Sequence, residues 1–585
     1  MRSNVKPRQS TARLGQRFAF GLSLLFLFAC PVVLAQTITS SGLNTAVSGP
    51  ISLPNGQTQV DITGGTRPGG GGNVFHSFGS FNVPSNTTAN FLNNSGLPTS
   101  NILGRVTGGN ISNILGTIQT TGFGNANLFL MNPAGFLFGP NATLNVGGMV
   151  AFTSADYLRL ADGGRFNAIA NAGSADILTA APVAAFGFLG SNPGAISLQG
   201  SQLTVAEGTG IALVGGDITG QGTTLKAPSG QINLVALKQV SNPTVPGEVL
   251  VNGSGQGSSF TPTGFAALGT ISFSQGSTID VTGVQGSGSE QAPGKVVIRG
   301  GQFIMNASSI LANAYSDAFG PPPGTIEVTV DHAVLEHSII RASAGTAHHG
   351  GNIMFNVDTL SATDSFILSN GVSRGDGSGG TVDVKAVTRI DLANTEVNAG
   401  TRTAQGGTIT MASPVISMNG SAVNVSGGGL DGGPGGTINL AATQAVNLIN
   451  TRLDAGSGNE SRLVLAGAIL INGGELFTAQ QSVISAQAAL GGRILVQACN
   501  ITLTDSQFTT STGGANPYTT AGQITLGGHN ITLTNGQILS GAYGGSGGTI
   551  DITTPVLRRN ANSVIDASST LGADGTVTIN GVLQP

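Results

Sequence analysis

Histidines that could bind a metal ion are concentrated in one stretch of the sequence. Four of the six histidines fall within eighteen residues, next to Glu336: His332, His337, His348 and His349. Imidazole ligands suit zinc, copper or nickel. On an extended strand, however, His332 and Glu336 share one face while His337 points away, and none of the His and Glu spacings of zinc proteases is present. We therefore predict a solvated strand and a corner loop here, with no metal and no cofactor, and keep the four histidines as the only metal candidates.

The acidic residues are too dispersed to predict an active site. Chemistry on a polysaccharide needs carboxylates clustered on one groove, or carboxylates combined with Arg, Lys or a metal. The 27 acidic residues are thinly spread, and several stand singly at outward strand positions: Asp383, Asp391, Asp454, Asp551 and Asp566. Aromatic platforms for sugars are scarce, with four Tyr and no Trp. We predict that the protein is not an enzyme; the alternatives are a β-helical polysaccharide-processing enzyme and a haem- or metal-capturing exoprotein.

The composition excludes several other classes of protein. The chain has 585 residues, of which 92 are Gly, only 9% are charged and 39% are hydrophobic. So little charge disfavours solvated surface helices, and the glycines do not fall at every third position as in collagen. The apolar content is too high and too regularly spaced for disorder. A net charge of −4 gives no footprint for nucleic acid. What remains is a large protein made of strands.

A glycine followed by a polar residue and then Ile or Val recurs through the second half of the chain. The recurring triplets are 351–353, 380–382, 407–409, 436–438, 492–494, 522–524, 548–550 and 575–577. Successive aliphatic positions are 25 to 31 residues apart, with Leu463 in the one missing slot. Each unit holds three short segments in which apolar and polar residues alternate, as in Ile409–Met411, Ile501–Leu503 and Val423–Val425. The chain is therefore built from internal repeats.

These repeats predict the fold. Alternation with a period of two places one face of each segment in a core and the other in solvent. Strands of three residues are not stable alone, so each unit must stack on the next at ~4.8 Å per layer. The sequence predicts an all-β protein, a right-handed parallel β-helix with three short strands per turn and a repeat of about 28 residues, in about 20 turns. A hexapeptide helix would need a six-residue beat, and a WD-type propeller would need Trp.

Residues 1–35 have the pattern of a secretory signal peptide. Five basic residues precede an apolar run of thirteen residues, too short to span a bilayer, and a small-residue cleavage site follows at Ala35 and Gln36. Cleavage removes Cys30 and leaves Cys499 alone, so no internal disulfide can form. We expect Cys499 to be a small buried residue.

Three segments near the N-terminus differ from the repeats and carry a resemblance. They are 72–83, 100–110 and 126–148, and a fourth stretch at 210–233 also fits. Together they resemble the N-terminal secretion domain of the filamentous haemagglutinin family, the exoproteins of two-partner secretion systems. The resemblance implies a secretion domain with a cap at 36–285, followed by a β-helical rod at 286–585. It also implies motif residues that act in transporter recognition or in a cap turn: Asn101, Arg105, Asn132, Pro133, Ala134, Gly135, Gly139, Pro140 and Asn141.

One motif departs from the family pattern. Where the family usually has Asn-Pro-Asn-Gly, this chain has Asn132-Pro133-Ala134-Gly135. The tetrapeptide fits a type I turn, with Asn first, Pro second and Gly fourth, and the third position of that turn does not require a positive φ. We therefore expect Ala134 to leave the turn intact, although any contact made by an Asn side chain there is lost.

The resemblance also implies how the protein is exported and what it does. The unfolded chain would cross the inner membrane through the general secretory translocon. A dedicated outer-membrane β-barrel with periplasmic POTRA domains would then recognise the N-terminal domain. The chain would thread outward and fold at the surface of a Gram-negative bacterium, as an adhesin-like rod that stays attached or is released. Its partners on the outside would be glycans or proteins of host or neighbouring cells, and not nucleic acid.

Overall fold

The computed structural model describes residues 37–168, 175–252, 259–284, 293–314, 324–344, 349–371, 377–428, 433–458 and 463–584. Four predictions fall outside these ranges: the signal peptide, its cleavage site at Ala35 and Gln36, the domain boundary after residue 285, and the candidate ligand His348. Within them the structure is made of strands, with a single 3₁₀ turn at Pro68–Gly70. No helix in the described ranges is long and apolar enough to cross a bilayer.

The second half of the chain alternates long and short strands. The long side is formed by Lys295–Asn306, Thr325–Glu336, Asn352–Thr363, Thr381–Ala393, Thr408–Asn419, Thr437–Ile449, Ala468–Gln480, Arg493–Thr504, the pair Gln523–Gly527 and Asn530–Thr534, Thr549–Arg559 and Thr576–Gln584. The short side is formed by Thr278–Asp280, Ser309–Leu311, Ile339–Arg341, Phe366–Leu368, Glu396–Asn398, Ala422–Asn424, Arg452–Asp454, Val483–Ser485, Gln507–Thr509, Gln537–Leu539 and Val564–Asp566.

Each strand pairs in parallel with its equivalent one repeat later. Ile409 lies opposite Val382 on one side and Ile438 on the other, and all three side chains are fully buried. The prediction of Leu463 for the next inward position was wrong: Ile469 pairs with Ile438 and is buried, whereas Leu463 precedes the strand and is exposed. The inward residues of successive turns form one continuous hydrophobic cluster from Ile38 to Ala567. This arrangement confirms the predicted parallel β-helix, since every short strand is stabilised only by the turns above and below it.

The number of strands per turn differs from the prediction. Two of the three predicted segments, such as Ile409–Met411 and Ile416–Met418, lie on one long strand that bends between them. Burial alternates on both arms of Thr408–Asn419 and is broken only at the bend. The cross-section therefore keeps three inward faces, while backbone pairing continues around one corner. In the turn of Gln523–Gly527 and Asn530–Thr534 the two arms are separate strands.

The corner after each long strand is built the same way in most turns. A residue with φ between 47° and 53° directly follows the strand in eight turns: Ala307, His337, Asp364, Asn394, Asn450, Gln481, Asp505 and Asn535. In all of these turns but the last, the next residue is a buried Ser or Thr. The hydroxyl of Ser338 donates to the carbonyl of Glu336 (2.7 Å) and accepts from the N–H of Ser308 (3.3 Å). These hydroxyls satisfy backbone groups that the corner would otherwise bury without a partner.

The first part of the chain forms further turns of the same stack. Its parallel strands are Thr58–Gly64, Asn73–Ser80, Thr87–Leu92, Asn101–Val106, Ser112–Ile114, Thr117–Thr121, Asn127–Met131, Phe136–Phe138, Thr143–Asn145, Val150–Thr153, Ile196–Gln199, Gln202–Thr204, Gly210–Gly215, Ile218–Gln221, Thr224–Lys226, Gln231–Val240 and Thr270–Ser274. The antiparallel strands Thr39–Gly42, Thr45–Val47 and Ile51–Ser52 cover the first turn. Such a cap protects the edge that a parallel stack would leave open.

A five-stranded antiparallel sheet, here called the flank sheet, packs against one face of these turns. Its strands are Tyr157–Leu160, Arg165–Asn167, Val183–Phe188, Gly247–Asn252 and Ser259–Thr263, and Phe265–Leu268 pairs separately with Gln231–Val240. Phe75, Phe129, Phe166, Phe186 and Phe260 belong to the second hydrophobic core beneath it. The flank sheet takes residues out of the stack, which explains why the β-helix has about 17 turns rather than 20.

The prediction of a buried Cys499 was wrong. Cys499 is exposed and free. It lies at the bend of Arg493–Thr504, where Ala498 and Ile501 point inward and the two residues between them point outward. The simple alternation that predicted burial does not hold at this bend.

Candidate functional site

The motif strand Asn101–Val106 lies in the stack between Asn73–Ser80 and Asn127–Met131. The side chain of Asn101 donates to Asn73 Oδ1 (2.8 Å) and accepts from Asn127 Nδ2 (3.1 Å). Asparagines at equivalent positions of three successive turns therefore form a ladder. Asn101 is 7% exposed, so its amide stabilises the stack rather than facing solvent.

The amide of Asn73 extends this ladder to the segment that enters the flank sheet. Its Nδ2 donates to the carbonyls of Thr179 (2.9 Å) and Ala181 (2.7 Å). The ladder thus fixes the position of the chain just before the flank strand Val183–Phe188. Asn73 and Thr179 are more than a hundred residues apart in sequence.

Arg105 connects the stack to the flank sheet. Its Nη1 lies 2.7 Å from a carboxylate oxygen of Asp176 and donates to the carbonyl of Asn167 (2.5 Å), while Nε donates to Ser77 Oγ (3.0 Å). The guanidinium also lies 5.0 Å from the ring centre of Phe166. The Arg105 side chain is only 15% exposed. An arginine suits this position because its planar fork serves several acceptors while stacking on a ring.

The Asn-Pro-Ala-Gly tetrapeptide forms a turn closed by its own asparagine. Asn132 Oδ1 accepts from the N–H of Ala134 (3.0 Å), and the Asn132 carbonyl accepts from the N–H of Gly135 (2.8 Å). Asn132 Nδ2 donates to the carbonyl of Asn110 and to Ser112 Oγ, both at 2.9 Å. Asn132 is completely buried. Its side chain therefore holds the turn and is not available to a transporter in the folded domain.

Gly135 cannot be replaced without moving the backbone. Its φ is +96°, and an added Cβ would lie 2.2 Å from the carbonyl oxygen of Ala195. On the other side of this contact, a Cβ on Gly194 would lie 2.4 Å from the Ala134 carbonyl carbon. The turn packs backbone against backbone on the segment that precedes Ile196–Gln199.

The second motif turn combines buried and exposed residues. Gly139 is buried, and an added Cβ would lie 2.5 Å from Leu115 Cδ2. Pro140 and Asn141 are exposed, and the N–H of Ala142 closes the turn on the Gly139 carbonyl (3.0 Å). Of the nine motif residues, Pro140 and Asn141 are exposed, Pro133 and Ala134 are half-buried, and the others are buried or form structural hydrogen bonds.

Sequence reasoning missed a charged network on the outer face of the flank sheet. Arg159 binds both carboxylate oxygens of Glu248 (2.8 to 3.1 Å), and the Tyr157 hydroxyl donates to the same carboxylate (2.9 Å). The ring of Tyr157 lies under the guanidinium of Arg165 and covers Gly187. Burial alone would raise the pKa of Glu248, but the hydrogen bonds from Arg159 and Tyr157 lower it. Burial and the neighbouring Glu248 raise the pKa of Tyr157.

His76 lies inside the first turn, among aromatic side chains. Its ring stacks on Phe78 with 6.1 Å between ring centres and meets the edge of Phe91 at 5.6 Å. It is 1% exposed, and its Nδ1 has no hydrogen-bond partner among the described residues. Burial, and secondarily the charge of Arg67, lower the pKa of His76 to about 4. The imidazole is therefore neutral at physiological pH.

The three metal candidates in the described ranges, His332, His337 and His349, are not brought together. His332 Nδ1 lies 2.9 Å from Thr359 Oγ1, His337 is a corner residue with its Nε2 3.5 Å from Asp364, and His349 Nδ1 lies 2.5 Å from Ser378 Oγ. Each histidine contacts a different residue of the turn that follows its own. Within the described ranges no group of three His, Cys, Asp or Glu side chains could hold a metal ion.

The outward-facing acids predicted to stand singly each contact a different neighbouring residue. Asp383, Asp391 and Asp454 each form an ion pair with a basic residue two positions away on the same strand, at 2.5 to 2.7 Å. Asp551 accepts from Gln523 (3.3 Å), and Asp566 accepts from the N–H of Ser568 (3.0 Å). These contacts are those of solvated strand surfaces.

Comparison with known proteins finds a family model that matches the N-terminal part of the chain. Residues 35–298 match the family model described as the TPS secretion domain. The crystal structure of the HMW1 secretion domain from Haemophilus influenzae is 15% identical with a TM-score of 0.32, and the alignment covers 91% of this chain and 99% of that chain. The filamentous hemagglutinin secretion domain is 15% identical with a TM-score of 0.22, covering 70% of this chain and 99% of that chain. The comparison with curated proteins gave no match.

The N-terminal part of the chain, residues 35–298, therefore belongs to the TPS secretion domain family. This domain indicates an exoprotein of a two-partner secretion system. Exoproteins of this class are secreted across the outer membrane of Gram-negative bacteria, and the domain implies a cognate outer-membrane transporter.

Proposed function

We propose that this protein is exported through a dedicated outer-membrane β-barrel with POTRA domains, and that it functions outside the cell as an adhesin-like rod, attached or released. In this proposal residues 1–35 direct the chain to the general secretory translocon and are cleaved between Ala35 and Gln36. Residues 36–285 then act as the secretion domain, and residues 286–585 form the rod.

The observation that carries this proposal is the position of the family motifs in the first turns of a continuous stack. The Asn101 ladder, the Arg105 contacts and the Asn132 turn all lie ahead of the repetitive turns, in a region covered by its own antiparallel cap. A stack of this kind grows by adding each turn to a completed one. A domain that emerges first and folds first can therefore template the remainder.

Transporter recognition by the folded domain would have to use the exposed part of the motifs. Pro140 and Asn141 are exposed, and Ala134, in the preceding motif turn, is half-buried. Asn132, Arg105 and Asn101 are engaged internally, so in this proposal they shape the domain. A transporter that reads the unfolded chain would instead contact all nine motif residues.

The proposal is tested by producing the chain in a Gram-negative host with and without its transporter and measuring the protein in the culture medium. We expect protein in the medium only when the transporter is present. Protein in the medium without the transporter, at the same level, would contradict the proposal.

Folding of the rod could supply the outward bias of transport. The substitutions Ile409→Asp, Ile438→Asp and Ile550→Asp together place charges in the spine, where all three side chains are fully buried. The matched control places Asp at outward positions, with Thr410→Asp, Asn439→Asp and Thr553→Asp. We expect secretion to fall for the first variant and to persist for the second. Equal secretion of both variants, with the first shown to be unfolded, would mean that folding does not drive export.

The proposal of adhesion is supported by the resemblance to the filamentous haemagglutinin family. It is also supported by the rod, which offers a long surface of outward Thr, Asn and Ser. The proposed partners are glycans or proteins on neighbouring or host cells. The test measures binding of the purified rod to cells. Competition by soluble glycans would indicate a glycan partner, and loss of binding after protease treatment of the cells would indicate a protein partner. Absence of binding to any cell type would remove adhesion from the proposal and leave export unaffected.

A further inference from the structure

A groove runs along the bend of the long strands in the rod. We call it the corner groove; Asp331, Asp358, Val387, Ser413, Pro414 and Thr443 are among its lining residues. Its volume is about 710 Å³, and all of its lining residues belong to the described part of the chain. This volume lies in the range of sites that hold a small molecule or a few residues of a peptide.

The groove originates in the unequal length of neighbouring bends. Between the paired positions Lys385 and Arg389, three residues stand opposite the two residues of the next turn, Ser413 and Pro414. The following turn again has one residue more, at Thr443. The bends of Thr381–Ala393 and Thr437–Ile449, each with an additional residue, therefore flank the shorter bend of Thr408–Asn419. The additional residue leaves Val387 75% exposed, an unusual degree for an aliphatic side chain on this surface.

The floor of the groove carries a polar group without a partner. Ser413 is 6% exposed, and its hydroxyl makes no hydrogen bond among the described residues. The surrounding lining is mostly apolar, formed by Val357, Ala386, Val387 and Pro414. A buried hydroxyl that lacks a partner costs free energy, and a ligand that supplies a donor or an acceptor recovers it.

The charge at one end of the groove is negative. Asp331 and Asp358 lie opposite each other on adjacent turns, because Val330 pairs with Val357 and His332 pairs with Thr359. In the described ranges neither carboxylate forms an ion pair with Lys, Arg or His, and Asp358 accepts only a hydrogen bond from Thr388. Like charges on adjacent strands repel, so a cation bound between them is stabilising.

The lysine of the groove does not neutralise these acids. Lys385 Nζ lies 2.7 Å from Asp383, on its own strand. Along the stack the groove therefore presents two carboxylates first, then apolar side chains, and then the hydroxyl of Ser413 that has no partner.

We propose that the corner groove binds an extended peptide segment of a partner protein, in which a basic side chain lies next to an apolar one. The basic side chain pairs with Asp331 and Asp358, the apolar side chain packs against Val387 and Pro414, and a backbone group of the peptide bonds to Ser413. An extended peptide fits because the lining comes from six successive turns, from Val330 to Asn472, so the groove is elongated along the stack. At about 3.3 Å per residue, a short extended segment can follow it across several turns.

The test uses the full secreted chain and short fluorescein-labelled peptides measured by fluorescence anisotropy. The probe peptide alternates lysine and leucine; one comparison peptide replaces lysine with glutamate and a second replaces leucine with serine. We expect saturable binding of the lysine–leucine peptide and binding at least about tenfold weaker for both comparison peptides, because each removes one half of the recognition.

Variants locate the binding on the protein. Asp331→Asn with Asp358→Asn should weaken the probe about tenfold, and Val387→Ser about fivefold. The controls are Asp505→Asn and Val564→Ser, an exposed acid and a partly exposed valine on later turns, and each should change binding less than twofold.

Three results would overturn the proposal. The first is no saturable binding of the lysine–leucine peptide, and the second is equal loss of binding in the control variants. The third is self-association of the chain that Val387→Ser abolishes, which would make a second copy the occupant. A soluble glycan that displaces the probe competitively, and binds more tightly, would likewise replace the peptide as ligand.

Discussion

The guanidinium of Arg105 and the carboxylate of Asp176 lie 2.7 Å apart although 71 positions separate them along the chain. Arg105 belongs to a strand of the β-helix, and Asp176 precedes the flank strand Val183–Phe188. The same carboxylate accepts from the N–H of Asn167 (2.9 Å). One ion pair therefore connects a family motif residue to the structure that distinguishes the first turns from the rod.

Replacing Arg105 should loosen the flank sheet. In Arg105→Ala, Asp176 and the Asn167 carbonyl lose their charged partner in a mostly buried site, and we expect a loss of about 2 kcal/mol. The measurement is native-state hydrogen exchange of the amides in 157–167. Arg452→Ala is the matched control, because Arg452 pairs with Asp454 while 56% exposed, and it should cost less than about 0.5 kcal/mol. Equal effects would show that Arg105 does not hold the sheet.

Gly135 should be the least replaceable residue of its turn. Gly135→Ala combines a φ of +96° with a Cβ 2.2 Å from Ala195, and we expect a loss of more than about 3 kcal/mol or failure to fold. Gly109 has a φ of +75° and open space around its Cβ position, so Gly109→Ala should cost only about 1 kcal/mol. Thermal unfolding of the two variants decides this; similar melting temperatures would refute the packing argument.

Restoring the usual family residue at position 134 should leave stability unchanged. Ala134 is half-buried, and its N–H, not its side chain, closes the turn on Asn132. Ala134→Asn should therefore alter the melting temperature by less than a degree or two, on the order of a surface substitution. A large change in secretion without a change in stability would place the side chain at position 134 in contact with the transporter.

The first turn should lose stability in acid because of His76. Its pKa is lowered by burial from 6.5 to about 4, so the unfolded chain binds a proton more readily than the folded one. The stabilising contribution is complete above pH 6.5 and is lost as the pH falls towards 4, by up to about 3 kcal/mol. The measurement is hydrogen exchange of 73–80 and 87–92 at pH 7 and pH 4.5.

His76→Leu supplies the control for this prediction. Leucine keeps an apolar side chain among Phe78 and Phe91 and removes the titrating group, so the acid-dependent loss in the first turn should shrink. An unchanged pH dependence in His76→Leu would assign the effect to carboxylates elsewhere.

The buried corner hydroxyls should stabilise individual turns. Ser338→Ala removes a donor to Glu336 and an acceptor for Ser308, and we expect a loss of about 1 to 2 kcal/mol. Ser361 points outward on the neighbouring long strand and makes a suitable control, with an expected change below about 0.5 kcal/mol. Urea unfolding followed by hydrogen exchange locates the loss, which should be confined to the turns around 338 if stability is a sum of neighbour terms.

Much of the rod could be predicted from the sequence because its order is local. The spacing of Ile409 and Ile438 fixes the repeat, and alternation around each fixes the inward face. The bend of the long strand was harder, since pairing continues through it and the alternation is broken for two residues, as at Cys499. The count of turns was too high because it assigned every residue after the signal sequence to a stacked turn of about 28 residues, whereas the flank sheet lies outside the stack.

The contacts of the candidate site were harder to predict because they join residues far apart in the sequence. Motif similarity identified Arg105 and Asn132, but their partners Asp176 and Ser112 have no signal of their own in a single sequence. The corner groove depends on one additional residue at Val387 and another at Thr443, which are visible only when the turns are aligned by their pairing.

We expect the export information to lie in the first turns, and a passenger protein tests this most directly. A reporter with no export signal of its own is fused after residue 298 and produced with the transporter, and its fraction in the culture medium is measured. We expect the fusion to reach the medium, and to do so only with the transporter. Gly135→Ala should reduce the secreted fraction more than Gly109→Ala. A fusion that stays in the periplasm while the full chain is secreted would contradict this expectation.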